Sequence, residues 1–182
     1  MPVISIVLPS YNGEKYIAQS IDSILSQTFK DWELIIVNDC SADCTLEIAE
    51  EYAKKDSRIR VINNEKNQRL PNSLNIGFAE AKGEYLTWTS DDNAYLPDAL
   101  QEMYHKLSSE DDLYMVCADM DVIDENNIVT GKAVPYDSEF IYYGDTVGAC
   151  FLYKREVYEK IDNIMFIPMV IDITQYGFTI NE

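Results

Sequence analysis

The chain is short of basic charge, of histidine and of long apolar runs, and each shortage removes a class of function. Against 32 acidic residues stand 14 lysines and arginines, for a formal charge of −18. Such a surface repels phosphate backbones and anionic lipid, which argues against nucleic acid as a partner. It also makes a phosphate-bearing substrate hard to bind, unless carboxylates hold a divalent cation. His105 is the single histidine and no nucleophile elbow surrounds it, which disfavours a Ser-His-Asp hydrolase. The cysteines Cys40, Cys44, Cys117 and Cys150 form one C-x3-C and no other zinc-site spacing. Buried, reduced thiols in a cytosolic protein are the expectation.

Two nucleotide motifs are missing as well. No G-x-G-x-x-G follows the first strand, and no G-x-x-x-x-G-K-[ST] occurs anywhere. Dinucleotide oxidoreductases and P-loop enzymes are thereby disfavoured. A nucleotidyltransferase fits poorly too, because its Gly- and Lys-rich phosphate loop is absent. The longest apolar run, Ile164 to Ile171, is broken by Pro168 and too short to span a bilayer. No charged-then-apolar signal opens the chain, so the expected location is the cytoplasm, without an integral membrane segment.

What is present is an alternation. Val3 to Leu8 is nearly all apolar, as befits a strand covered on both faces. Ile17, Ile21, Ile24 and Leu25 then recur at helical spacing. Trp32 to Val37 repeats the buried-strand composition, and Ser41 or Asp43 can cap a helix with Leu46, Ala49 and Ala53 inward. Arg60 to Asn63 is a third strand, and Pro71 suits the first turn of a helix carrying Leu74, Phe78 and Ala81. Lys82-Gly83 stops it. Tyr85 to Thr89 is a fourth strand, after which Pro97 opens a helix with Leu100, Met103, Tyr104 and Leu107 inward. This β-α order predicts an α/β fold with a mostly parallel central sheet, helices on both faces and right-handed crossovers. A chain of 182 residues is expected to form one domain with a substantial core.

Beyond Ser108 the periodicity weakens. Asp111, Asp112, Asp119, Asp121, Asp124 and Glu125 crowd one region, read as a solvated face rather than a second metal site. Met115 to Met120 and Ala149 to Tyr153 have strand composition, with a Gly- and Tyr-rich connector between them, and Lys154 to Ile161 reads as a helix.

The informative residues fall at successive strand ends. Pro9-Ser10-Tyr11-Asn12 follows strand one, Asn38-Asp39 strand two, and Ser90-Asp91-Asp92-Asn93 strand four. In a parallel sheet these ends converge on one edge, where open α/β sheets bind ligands. Tyr11 offers a face for a base, Asp39 an acceptor for its N–H, and Asp92 a hard oxygen ligand suited to Mg²⁺ or Mn²⁺. Asp and Asn also favour turns and helix caps on their own account, so a plain turn at 90–93 and a cap on the next helix for Asp39 are the competing readings.

Several pieces resemble family 2 glycosyltransferases: VISIVLPSYN (3–12), IDSILSQT (21–28), WELIIVNDCS (32–41), NIGFAEAKGEY (75–85) and TSDDNAYLP (89–97). The resemblance covers roughly residues 2–160, and its motifs are specific to the family but not to a substrate. It implies a GT-A-type, Rossmann-like three-layer sandwich and an inverting, hexosyltransferase-like enzyme that uses nucleotide-diphospho-sugars, expected to be UDP-sugars. By the same resemblance, Pro9, Tyr11 and Asp39 hold the base, usually uracil, with Glu14 in the same loop. Arg69 falls near the donor, Asp91 near the ribose, and Asp92 on Mn²⁺ or Mg²⁺ in the D-x-D region. Many members carry Asp where this chain has Thr89; T-D-D-N variants keep the metal-binding Asp.

The resemblance further implies a saccharide or lipid-linked acceptor, a role in cell-surface polysaccharide synthesis, and peripheral association at the inner face of the membrane. Residues 1–107 correspond to the nucleotide-sugar half and 108–182 to an incomplete acceptor-side half. GACFLYKR (148–155) resembles the segment before the catalytic base, which puts Asp172 in the base position. The E-D-x-D-x-W-x-R-like surroundings of that base are lost around Asp172. The alternative reading is therefore a truncated or inactive nucleotide-sugar-binding remnant without transfer activity.

Overall fold

The computed structural model describes residues 1–133, 150–161 and 178–180. Strands β1 (Ile4–Ser10) and β2 (Trp32–Asn38) are buried along their whole length. Their side chains alternate between two apolar clusters, as the pleat requires. Ile4, Ile6, Leu8, Leu34 and Ile36 face one side, and Val7, Ile35 and Val37 the other. The first side is covered by α1 (Ile17–Leu25), α2 (Thr45–Lys55) and α4 (Ala99–Ser109) through Ile21, Ala49 and Leu100. The second is covered by α3 (Arg69–Glu80) and α5 (Arg155–Ile161) through Leu74, Phe78 and Val157. Helices on both faces of a sheet make three layers.

β1 pairs in parallel with both β2 and β4 (Tyr85–Trp88), and β2 in parallel with β3 (Ile59–Asn63). β5 (Met115–Cys117), β8 (Phe151–Lys154) and β9 (Phe178–Ile180) complete the sheet in the order β3-β2-β1-β4-β8-β5-β9. β8 runs antiparallel to both of its neighbours, while β9 lies parallel to β5. The register sets Ser10 beside Asn38 and Val7 beside Trp88, so β1, β2 and β4 end at one edge.

At the opposite edge, a Cβ on Gly83 would stand 2.6 Å from the Ser5 amide nitrogen. Only glycine lets that turn approach β1 so closely, which explains the helix stop at Lys82-Gly83.

Three local outcomes differ from the sequence reading. Pro97 does not open α4; it lies in a turn before Ala99, where buried Gln27 takes the Leu100 N–H at 3.0 Å and donates to the Leu96 carbonyl at 2.8 Å. A side chain from α1 thus does the capping. Cys40 and Cys44 are exposed rather than buried, because both lie in the turn between β2 and α2; Cys117 is buried and Cys150 half-buried. The strand expected over Met115 to Met120 stops at Cys117, and Met120 instead opens an unanticipated hairpin in the acidic region, β6 (Met120–Ile123) with β7 (Val129–Ala133), which forms a separate sheet. Asp124 makes its turn by accepting the Asn126 and Ile128 N–H groups at 2.8 and 3.0 Å. Among the described residues, no helix is long and apolar enough to cross a membrane.

Candidate functional site at the strand ends

Ser10 is the hinge of the site. Its carbonyl accepts the Asp39 N–H at 2.8 Å, and its hydroxyl donates to the Asp91 carboxylate. The end of β1 therefore ties the end of β2 to the loop after β4, in a parallel sheet whose register already aligns them. Pro9 is buried in register with Val37, and the next residue out, Tyr11, is 54% exposed. An exposed ring beside two buried strand ends is free to stack on a planar group.

The loop after β1 is laced to the loop after β2. Asn12 N–H donates to Ser41 Oγ at 3.0 Å, Gly13 N–H to Thr45 Oγ1 at 2.8 Å, and Glu14 N–H to Asp43 Oδ2 at 3.1 Å. In return, Ala42 N–H donates to Asn12 Oδ1 and Cys44 N–H to Glu14 Oε2, both at 2.9 Å. Glu14 thus spends one carboxylate oxygen on the loop itself. Gly13 is forced by close approach: a Cβ there would stand 2.1 Å from Asp91 Oδ2 and 2.5 Å from Ser10 Oγ.

Asp39 is 4% exposed and serves three protein donors. Oδ1 accepts from Asn64 Nδ2 at 2.8 Å and Gln68 N–H at 2.7 Å, and Oδ2 accepts the Arg69 N–H at 2.8 Å. Gln68 and Arg69 open α3, so Asp39 fills the helix N-terminus from another element, where orphan donors and the dipole favour a negative charge. It also holds Arg69 at φ 67°, a left-handed conformation that a non-glycine residue adopts only under constraint. Among the described residues, the exposed guanidinium of Arg69 has no ion-pair partner, leaving a cation at this edge of a strongly acidic protein.

Asp91 is half-buried, and burial pushes its carboxyl above the usual range. The Ser10 hydrogen bond opposes that rise, and the neighbouring Asp92 charge adds to it. Asp92 is exposed, and the Ser90 hydroxyl donates to its Oδ1 at 2.5 Å. Asn93 Nδ2 reaches back to Ser90 Oγ at 2.9 Å. The turn that was the competing reading at 90–93 is present, and it carries the two carboxylates. Thr89 is buried beside Tyr95, where a neutral hydroxyl avoids the desolvation that a carboxylate would suffer.

The donor set fits a divalent cation of the Mg²⁺ or Mn²⁺ kind. Among the described residues, no three His, Cys, Asp or Glu side chains gather into a metal group. An ion here would take one or two carboxylate oxygens and complete its shell from water and a phosphate ligand, the habit of these hard cations. Asp172 lies outside the described residues. Asn64 and Thr45 were not anticipated, and Ser10 was noted at the strand end without a partner; single hydroxyl and amide residues carry no motif of their own, and only the fold reveals their contacts.

Comparisons with known proteins bear on the fold and the family. EpsJ of Bacillus subtilis (strain 168), described as an uncharacterized glycosyltransferase, is 32% identical over 184 aligned positions, covering 91% of this chain and 52% of EpsJ. The chain thus spans about half the length of the curated relatives it matches. Among solved structures, S. aureus TarS 1-349 in complex with UDP superposes with a TM-score of 0.76 at 21% identity, over 99% of this chain and 58% of TarS. The mannosyltransferase PcManGT of Pyrobaculum calidifontis, in complex with GDP-Man and Mn²⁺, gives 0.75 at 18% identity, over 99% of this chain and 55% of that one. Those two likenesses establish the GT-A glycosyltransferase fold. The profile described as Glycosyl transferase family 2 matches residues 5–162, and the chain belongs to that family.

Proposed function

We propose that this chain binds a nucleotide-diphospho-sugar, in particular a UDP-sugar, with a divalent cation and transfers the sugar with inversion to an acceptor hydroxyl. The observation that carries the reading is the convergence on Ser10. Through its carbonyl, hydroxyl and chain neighbour it joins Asp39, Asp91 and Tyr11 at the edge where β1, β2 and β4 end. Tyr11 stacks on the base, Asp39 accepts its N–H, and Asp91 meets the ribose. Asp92 holds the cation, and Arg69 supplies positive charge toward the diphosphate. Glu14 acts indirectly, by fixing the loop that carries Tyr11.

Bound Mn²⁺ or Mg²⁺ would neutralise charge on the leaving diphosphate. The acceptor oxygen attacks the anomeric carbon as the bond to the diphosphate oxygen breaks, and Asp172 takes the acceptor proton on the opposite face. The acceptor is a saccharide or a lipid-linked hydroxyl, in cell-surface polysaccharide synthesis at the inner face of the membrane. Residues 1–107 form the donor half in this reading, and residues 108–182 begin the acceptor side.

Calorimetry of UDP with Mn²⁺ and with EDTA tests the donor site. Carboxylates facing a diphosphate without the cation repel it, so EDTA should abolish measurable binding. Affinity unchanged by EDTA would refute the cation's role. Asp172→Asn should abolish transfer while leaving UDP binding intact. The second reading, a donor-binding chain without transfer, draws on the lost motif around Asp172. A wild-type chain that binds UDP and never transfers would establish it.

A further inference from the structure

The Asp39 carboxylate is nearly used up inside the protein. Each carboxylate oxygen accepts about two hydrogen bonds. Oδ1 already receives two, from Asn64 Nδ2 and the Gln68 N–H, while Oδ2 receives only the Arg69 N–H. Among the described residues, Oδ2 is thus the only oxygen of this carboxylate with an acceptor site to spare. Asn64 is itself pinned. Its side-chain amide also donates to Ser73 Oγ at 3.2 Å, its own N–H donates to the Asn38 carbonyl at 2.9 Å, and Asn64 and Ser73 are both buried. The amide cannot swing away from Oδ1 without leaving a buried donor unpaired.

We propose that Asn64 is a specificity-determining residue: by filling Oδ1, it restricts the pocket to bases that present a single imide N–H. The inference rests on the reading of Asp39 as the group that meets the base. Uracil offers one N–H between two carbonyls, and the spare site on Oδ2 takes it. Guanine offers two adjacent donors, the ring N–H and the exocyclic amine, which match the two oxygens of a carboxylate as a fork. With Oδ1 saturated, the second donor is stripped of water and left without an acceptor. Cytosine and adenine present a bare ring nitrogen at this edge, whose lone pair faces the carboxylate charge. A site that leaves a buried polar group unmatched rejects the wrong ligand far more strongly than one that merely packs against it.

The test is calorimetry in Mn²⁺ with UDP, GDP, CDP and N3-methyl-UDP, on the wild type, Asn64→Ala and Asn64→Ser. Wild-type protein should prefer UDP over GDP and CDP by at least about tenfold, and the N3-methyl compound should bind at least about tenfold more weakly than UDP. Asn64→Ala and Asn64→Ser both remove the Nδ2 donor, and their shorter side chains leave the site on Oδ1 open. In either folded variant the UDP-to-GDP preference should fall by about tenfold. A wild type that binds GDP or N3-methyl-UDP as well as UDP overturns the proposal, even if both variants fail to fold. A folded variant that keeps the wild-type preference overturns it too. Failure of every nucleotide to bind would instead refute the reading of the site on which the proposal stands.

Discussion

Glu33 and Asp91 are both carboxylates drawn in from water on the central sheet, Glu33 where the strands begin and Asp91 where they end. Glu33 accepts the Ser5 hydroxyl and the Lys82 N–H, each at 2.6 Å, and pairs with Arg60 at 2.9 Å. Burial alone would raise its carboxyl. The Ser5, Lys82 and Arg60 contacts outweigh burial and hold it below the ordinary 4.5. Asp91 has the Ser10 hydroxyl, a like charge at Asp92 and, among the described residues, no ion-pair partner, and it lies above its ordinary 3.8. One end of the sheet neutralises its acid within the fold. The other leaves an acid in need of a positive partner, which is where a cation or ligand contributes most.

The comparison breaks most visibly at Glu33. Glu33→Ala would leave the Ser5 hydroxyl, the Lys82 N–H and the Arg60 guanidinium without their shared acceptor. We expect a loss of about 3 kcal/mol in the urea midpoint analysis, at the low end for a broken buried pair because Arg60 is partly exposed. A loss within about 0.5 kcal/mol would show that this edge does not rely on the network. The same acid sets a pH dependence. Its folded value lies below 4.5, so the stability it lends is complete above that pH and is lost as pH falls through the folded value. In Glu33→Gln that acid-side slope should shrink.

Asp39 sharpens the comparison, because it belongs to the strand-end edge and yet is satisfied like Glu33. Asp39→Ala should cost about 2 kcal/mol of stability, since it uncaps α3 and leaves the Asn64 amide without that acceptor. UDP binding should weaken by at least about tenfold in the same variant. Thermal melts with and without UDP separate the two effects. Unchanged stability with lost binding would mean that the α3 contacts are incidental.

Next in size is Gly13→Ala. Its methyl group would occupy the space of the Asp91 carboxylate and the Ser10 hydroxyl. The displaced contacts are side chains, so the fold should lose only about 1 kcal/mol. UDP affinity measured by calorimetry in Mn²⁺ should fall about tenfold as Asp91 is pushed from its place. Full affinity would separate Asp91 from the donor site.

How much of this was legible in the sequence follows from burial. β1, β2 and β4 announce themselves because strands covered on both faces are mostly apolar, and α1 and α4 because their inner faces recur at helical spacing. The strand-end motifs were legible for the same reason, since polar residues stand out where an apolar run stops. The β6–β7 hairpin was not. Val122, Ile123 and Val129 are exposed on it, so no core imposes alternation. A cap role for Asp39 was open from the sequence, but on the next helix; that it caps α3 instead was hidden, because its partners are backbone N–H groups of Gln68 and Arg69, which look alike in every residue type.

The smallest expected effect, and the one that tests the comparison by sign, is Asp91→Asn. Because its folded value is raised above 3.8, the folded state holds the proton more tightly than the unfolded chain does. Stability then falls as pH rises from 3.8 through the folded value, and the charged form is a cost at neutral pH. Asparagine removes that charge and the repulsion from Asp92, and it still accepts the Ser10 hydroxyl. The variant should therefore gain stability at neutral pH, by less than about 1 kcal/mol, and lose the fall over that window. Glu33→Gln should move the opposite way at the same pH. Urea melts of both variants at several pH values read the two signs directly. Destabilisation by Asp91→Asn at neutral pH would show that Asp91, like Glu33, is settled within the fold, and the contrast between the two edges would be lost. If instead the sign holds while UDP binding in Mn²⁺ falls, the unsatisfied acid at the strand ends is a stability cost retained for the ligand.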